Sequence, residues 1–539
     1  MMNGQMMFCD LNITSIMQHA LLAYSQQQIV SLKSDGKTLH RYSYREAFQR
    51  VAQAAHAFDQ LDIAPDAIMG TLAWNTYQHI ELHYAIPCSG RVYHTINPRL
   101  FPEQILQIIQ DAQDQVLFVE PECIALLENM YDQVKPFVKH IFILGDIDAS
   151  LSATFPFQFY EQILQDQPTS YPWPEIKEQQ ASGLCYTSGT TGQPKGVLYS
   201  HRSTVLHALI LSMREVVGLD LHSVMMPMVP LYHISAWGMP YNSILCGAKL
   251  VCCHQFAGQP DKMVRLMQQE HVDIAMGVPT IWAGIQAYLQ QNSIENFPLK
   301  RAISGGSAAS LALIERMQQL GIQLDNAWGM TETSSLAACN HGGYAPTSHP
   351  AHSLKCGRPI FGTQVRLKDQ HQQVLALGEL QEGQLEIRGH AIVEQYMYQD
   401  SGAEQSWFNT GDIASIDELG YIHITDRVKD MIKSGGEWIS SVALENAVMG
   451  YEKIHEAAVI GVEHPKWGER PLLIVVPKAQ HATIQHEEII SYLSSSIEKW
   501  SLPSATICVK NIPHTPTGKI SKKTLREQYH DYFAQMNVV

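Results

Sequence analysis

The ten cysteines include no pair spaced Cys-x-x-Cys and no cysteine–histidine set at metal-ligand spacing. That argues against a zinc ribbon and a dithiol redox centre, and buried free thiols are the expectation, in keeping with a reducing compartment. No segment approaches 18 consecutive apolar residues, so a membrane-spanning helix is not expected. The first twenty residues lack the basic start and apolar core of a leader peptide. Together these point to a cytoplasmic protein and leave contact with a membrane surface open. Only 17% of the 539 residues are charged, and acids outnumber bases 52 to 37, for a formal charge of -15. An acidic chain of this kind is not expected to bind nucleic acid. Repeats and low-complexity linkers are also missing.

What is present reads as α/β. Short apolar runs ending at turn residues, "VLFVEP" from Val116, "IFILGD" from Ile141, "KLVCCH" from Lys249 and "DIAMGVP" from Asp273, have the look of buried strands. Ser43 and Glu46 stand at capping-box spacing ahead of Phe48, Val51, Ala55 and Phe58 at helical spacing. "TIWAGIQAYLQ" from Thr280 reads as a helix. Strands alternating with helices imply parallel sheet. After about residue 355 the pattern changes. "TQVRLKD", "GQLEIRG" and "GYIHITDR" are alternating strands of a small β-rich module. Beyond Asp426 the pattern is mixed: strands at "AAVIGV" and "LLIVVPK", and an amphipathic helix carrying Ile489, Ile490, Leu493 and Ile497.

One stretch carries phosphate chemistry. From Tyr186 the chain reads "YTSGTTGQPKGVLYSHR". Gly189, Gly192 and Gly196 permit close backbone approach, so successive N–H groups can cradle an anion. Thr187, Ser188, Thr190 and Thr191 add hydroxyls, and Lys195 adds a positive charge. A nucleotide-hydrolysing P-loop would need Ser or Thr directly after a Gly-Lys pair. Here Pro194 precedes Lys195 and Gly196 follows it, which argues against that class.

The stretch resembles the signature of the adenylate-forming superfamily: acyl-CoA synthetases, adenylation domains and firefly-type luciferases. "NAWGMTET" (326–333), "WFNTGD" (407–412), "DRVKDMIKSGGEWIS" (426–440) and "PTGKI" (516–520) resemble further motifs of that family, in its order. The resemblance spans nearly the whole chain and is most like medium- and long-chain fatty acid–CoA ligases. It implies a large N-terminal domain of α/β subdomains plus the β-rich module, residues 1–426, and a small mobile α+β C-terminal domain, residues 427–539. It implies ATP, magnesium and coenzyme A as reaction partners, and a homodimer as a common assembly.

The chemistry explains why such residues are needed. A carboxylate resists attack because oxide is a poor leaving group. Transfer to the α-phosphorus of ATP gives an acyl-AMP, which a thiol then opens. The protein has to position groups and offset growing negative charge. By resemblance, Glu332 holds magnesium with Thr187 nearby, and Thr331 meets the α-phosphate. Gly305, Gly306, Asn326, Ala327 and Trp328 border the adenine, Trp328 standing where many relatives have tyrosine. Asp412 and Arg427 meet the ribose. Lys519 bridges the carboxylate and the α-phosphate. Lys429 matches the hinge, Lys433 and Trp438 match nucleotide-contacting positions, and Gly435 and Gly436 line the thiol's path. Ser310 departs from the family's usual proline, and "VEQYMYQD" around Tyr396 is a loose match.

"PLYHISAWGMPY" (230–241) bears on the acid. His233 matches a position beside the substrate carboxylate, and Trp237 matches the gate of fatty acyl-CoA synthetases. Between His222 and Lys249 the sequence holds no basic residue other than histidine. That favours an uncharged acyl tail over an amino acid. Chain length, and aryl against alkyl, stay open at this level. A stand-alone enzyme loading a carrier protein and a luciferase-like oxygenase remain as alternatives. So, outside the superfamily, do a P-loop NTPase and a non-catalytic binder.

Overall fold

The computed structural model describes residues 2, 4–187, 194–341, 350–378, 381–399, 407–435, 437–478, 483–494, 497–515 and 520–536. Side chains 235, 237, 350, 351 and 536 are not described. Four sheets organise the chain.

A seven-stranded sheet holds Ile68–Leu72, Val92–Thr95, Val116–Val119 and His140–Ile143 in parallel, the last two being the apolar runs expected as strands. Its far edge is the antiparallel pair Ala181–Thr187 and Lys195–Ser200, with Thr187 opposite Lys195. The glycine loop therefore joins two strands that pair antiparallel. Its residues 188–193, with the expected phosphate contacts of Ser188, Gly189, Thr190, Thr191 and Gly192, lie outside the described residues.

A nine-stranded sheet contains a parallel centre of Gln323–Trp328, Arg301–Ser304, Ile274–Gly277, Val224–Pro227, Lys249–Cys252 and Gln28–Leu32. Its margins are antiparallel. Strands buried on both faces tolerate continuous apolar runs, which is why Cys252 and Cys253 are both buried. All ten cysteines are free thiols; six are buried, and Cys9 is exposed against expectation because it lies ahead of the first helix.

Helix Tyr77–Cys88 is buried at every position, and its sequence has no polar face to give it away. Its polar side chains find partners instead. Glu81 takes Arg50 at 2.7 Å, and Gln78 donates to Glu161 at 2.6 Å. The capping box at Ser43 and Glu46 forms as expected and starts helix Tyr44–Asp59.

The β-rich module is an antiparallel meander of Thr363–Lys368, Gly383–Gly389, Phe408–Ile416 and Ile422–Arg427. The C-terminal part builds its own five-stranded sheet around the long pair Ile454–His464 and Gly468–Pro477. The amphipathic helix there runs His486–Leu493, so Ile497 falls beyond its end.

Candidate active site

Open α/β sheets offer ligands the crevice beyond the carboxyl ends of their strands. Three such ends converge here. Strand Ala181–Thr187 leads into the glycine loop, Arg301–Ser304 into Gly305-Gly306, and Gln323–Trp328 into Gly329-Met330-Thr331. The Tyr199 hydroxyl, on the strand returning from the glycine loop, donates to the Thr331 carbonyl at 2.6 Å and ties the two sheets together.

Thr331–Thr333 forms a single 3-10 turn, and Ser334 and Ser335 follow at positive φ. The Gly329 backbone packs against this turn so closely that a Cβ there would lie 1.7 Å from the Ser335 carbonyl oxygen. Thr331 and Glu332 are both buried. The Tyr396 hydroxyl donates to Glu332 Oε1 at 2.6 Å, and the Val393 N–H donates to the Glu332 carbonyl at 2.8 Å. Burial first, then the Glu332 charge, pushes the Tyr396 phenol well above its usual pKa, so it stays a donor. Lys195 Nζ lies 4.8 Å from the centroid of the Tyr396 ring, a cation–π contact. The Met397 N–H donates to the Gly196 carbonyl at 2.8 Å. Residues 393–397 thus strap strand Lys195–Ser200 to the Glu332 turn. A loose sequence match hid this strap, because two backbone bonds and one hydroxyl carry it.

Asp412 sits on strand Phe408–Ile416 directly across from Arg427, after Gly411 at φ 74°. Its carboxylate is buried. Trp328 Nε1 donates to Oδ2 at 3.1 Å, and Arg427 Nε lies 3.4 Å from Oδ1. The Trp328 indole is therefore a polar partner of the carboxylate as well as an aromatic surface, a role that residue type alone does not signal. Asn326 is buried; its Oδ1 accepts from the Ala309 N–H at 2.9 Å and its Nδ2 donates to the Ser353 carbonyl at 2.9 Å. Asn326 thus holds the 305–309 loop in shape rather than offering free polar atoms. Ala327 follows it, half-buried. Gly306 has φ 86°, and the Gly305 N–H is used by the Gly277 carbonyl at 3.1 Å. Ser310 caps the next helix by accepting from the Leu313 N–H, which accounts for serine at that position.

His233 stands immediately before helix Ile234–Cys246, with its N–H bonded to the Pro230 carbonyl. Trp237 lies within that helix, and its side chain is outside the description.

The remaining expected residues belong to the C-terminal part. Lys429 lies in the link between Arg427 and strand Ile432–Ser434. Lys433 and Trp438 face each other across a small hairpin, the ammonium 5.5 Å from the ring centroid. Gly435 has φ 62°, and its N–H donates to the Trp467 carbonyl at 2.7 Å. Gly436 and Lys519 lie outside the described residues. The structure thus gathers Lys195, Thr331, Glu332 and Tyr396 in one cluster and Trp328, Asp412 and Arg427 in a second, while the hairpin's partners are on its own sheet.

No group of three or more His, Cys, Asp or Glu side chains at metal-binding spacing occurs among the described residues. One buried carboxylate with phosphate oxygens and water suffices for a magnesium ion, so Glu332 suits such an ion.

A family model described as AMP-binding enzyme matches residues 23–397, and one described as AMP-binding enzyme C-terminal domain matches 443–519. A 3-methylmercaptopropionyl-CoA ligase of Ruegeria lacuscaerulensis is 40% identical over 98% of this chain and 99% of its own. A medium-chain-fatty-acid–CoA ligase of Ectopseudomonas oleovorans is 38% identical, covering 98% of each. A long-chain-fatty-acid–CoA ligase of Thermus thermophilus is 36% identical over 98% of this chain and 97% of its own. The crystal structure of an anthranilate CoA ligase with anthranoyl-AMP has the same fold, with TM-score 0.87 at 22% identity over 98% of this chain and 99% of that one.

Proposed function

The chain belongs to the AMP-binding enzyme family and is an AMP-forming acyl-CoA ligase, and from that premise we propose which acid it takes and which residues do the work. The acid is an aliphatic one of the fatty class with an uncharged tail. Three ligases of aliphatic acids at 36–40% identity support this, as does a 230–241 segment free of lysine, arginine, aspartate and glutamate.

In the first half-reaction a carboxylate oxygen of the acid bonds to the α-phosphorus of ATP, and the bond to the β-phosphate bridging oxygen breaks. Pyrophosphate leaves and acyl-AMP remains. In the second, the sulfur of coenzyme A bonds to the acyl carbon and AMP leaves. The glycine loop, 187–196, with Lys195, steadies the β- and γ-phosphates. Thr331 faces the α-phosphate. Asp412 accepts from the ribose hydroxyls, aimed by Trp328 and Arg427, and the adenine lies between Gly305-Gly306 and Ala327-Trp328. Glu332 and Thr187 would hold magnesium, which when bound supplies charge neutralisation on the phosphates. His233 orients the acid's carboxylate, Trp237 closes the acyl site, and Lys519 offsets charge growing between carboxylate and phosphate. Residues 427–539 act as a mobile domain hinged at Lys429, whose hairpin with Lys433, Gly435, Gly436 and Trp438 serves the thiol step. Ten free thiols support a cytoplasmic setting, and resemblance supports a homodimer.

The observation that carries the site assignment is the buried Glu332 carboxylate, held by Tyr396 beside Lys195 at the mouth of three strand ends. A magnesium titration of acid-dependent AMP formation tests it. Glu332→Gln should raise the magnesium needed for half-maximal rate at least about tenfold. An unchanged magnesium requirement would remove Glu332 from the metal site.

A further inference from the structure

Asn75 lies beyond the carboxyl end of strand Ile68–Leu72, in the seven-stranded sheet, and just ahead of helix Tyr77–Cys88. It is buried. Its Nδ2 donates to the Pro227 carbonyl at 2.9 Å and to the Val229 carbonyl at 3.0 Å, and its Oδ1 accepts from the Leu231 N–H at 2.7 Å. All three partners belong to one stretch, which leaves strand Val224–Pro227 of the nine-stranded sheet and runs on to His233. Two carbonyls need donors and one N–H needs an acceptor, a set that a side-chain amide meets. A carboxylate has no N–H to give, and an aliphatic side chain of similar shape would leave three buried backbone groups unpaired.

Asn75 is itself held on both sides. Its own carbonyl accepts from the His254 N–H at 2.8 Å, which fixes it to the nine-stranded sheet a second time. Thr76, next in the chain, caps helix Tyr77–Cys88 by accepting from the His79 N–H at 3.3 Å. Trp74, before it, meets the Tyr232 ring edge-on with centroids 6.1 Å apart.

The tie ends at the acid's side of the site. Leu231 and Tyr232 are buried, and the His233 N–H bonds back to the Pro230 carbonyl at 3.0 Å. Residues 230–233 are therefore a closed turn hung from Asn75 through the Leu231 N–H, with His233 half-buried at its end. Thr331, Glu332, Asp412 and Arg427 belong to other elements.

We propose that Asn75 is a positioning residue of the ligase reaction: it sets where His233 stands, and through His233 where the acid's carboxylate lies against the α-phosphorus. This rests on the role given to His233 above and deepens it. Misplacing a reacting group by about 1 Å costs about a hundredfold, so the amide matters to the rate as well as to the fold.

The test is a double-mutant cycle on octanoate-dependent ATP–pyrophosphate exchange. Asn75→Ala should lower kcat/KM for octanoate by about thirty- to a hundredfold, with the KM for ATP within about twofold of wild type. His233→Ala alone should cost at least about tenfold in kcat/KM for octanoate. With His233 already removed, Asn75→Ala should cost no more than about threefold further. Asn75→Gln keeps the amide but carries it one methylene outward. It should show the same split, alone and with His233→Ala, and it decides the matter where Asn75→Ala does not fold. Losses that multiply in the double variant, or a KM for ATP that rises in step with that for octanoate, would overturn the positioning role while leaving His233 in place. Failure of both variants to fold would make Asn75 a structural tie and overturn the proposal. A His233→Ala enzyme as active as wild type would instead overturn the role of His233, and that of Asn75 with it.

Discussion

Removing one N–H from the Trp328 indole should separate nucleotide recognition from acid recognition. Trp328→Phe keeps an aromatic face but deletes the donor that lies 3.1 Å from Asp412 Oδ2. Asp412 is buried, and Arg427 covers its other oxygen from 3.4 Å. A hydrogen bond to a charged group is worth about 1.5–3 kcal/mol. At about 1.4 kcal/mol per tenfold, losing it should raise the KM for ATP by roughly ten- to a hundredfold. Trp328 is half-exposed, which favours the lower end of that range. ATP–pyrophosphate exchange driven by a saturating acid gives that KM directly. The KM for the acid should stay within about twofold, and the preference for ATP over its 2′- and 3′-deoxy forms should narrow. An unchanged KM for ATP, or an equal rise in both KM values, would refute the view that the indole aims Asp412 at the ribose.

Lys519→Ala should abolish acyl-AMP formation yet largely spare thioester formation from supplied acyl-AMP; equal losses in both half-reactions would contradict its role. Gly329→Ala places a methyl group on the Ser335 carbonyl, and should cost at least about a hundredfold in acyl-AMP formation while circular dichroism stays near wild type. A fully active variant would show the Thr331–Ser335 turn is not fixed by that contact. His201 is buried, its Nδ1 accepts from the Ile13 N–H at 3.2 Å, and burial lowers its pKa to about 4 from 6.5. The unfolded chain then binds the extra proton, so this contribution to stability is present above pH 6.5 and lost as pH falls towards 4. Between pH 7 and 5 the loss is about 2 kcal/mol for this histidine. His201→Asn should lack that share of the acid loss in denaturant titrations, and an identical loss in variant and wild type would contradict it.

The sequence makes the sheets legible because strands buried on both faces must be apolar throughout, and "VLFVEP" or "DIAMGVP" leave few other readings. It makes the site's polar residues legible through motif order, since neither Asp412 nor Arg427 is distinctive by type. Helix Tyr77–Cys88 escapes a pattern-based reading because it is buried on every side. Tyr396 and Tyr199 escape because their contribution is a single hydroxyl aimed across a long sequence gap, 64 residues to Glu332 and 132 to Thr331. The inward turn of Asn326 escapes for a related reason: its partners, Ala309 and Ser353, flank it at a distance in sequence and meet it only once the sheet has formed.

The most direct test of the account is AMP release from ATP and magnesium with octanoate, measured with and without coenzyme A. AMP release at multiple turnovers is expected only when both acid and coenzyme A are present, with octanoyl-CoA formed in equal amount. Acid-dependent acyl-AMP that coenzyme A does not turn over would contradict the thiol step and make a carrier protein the acceptor.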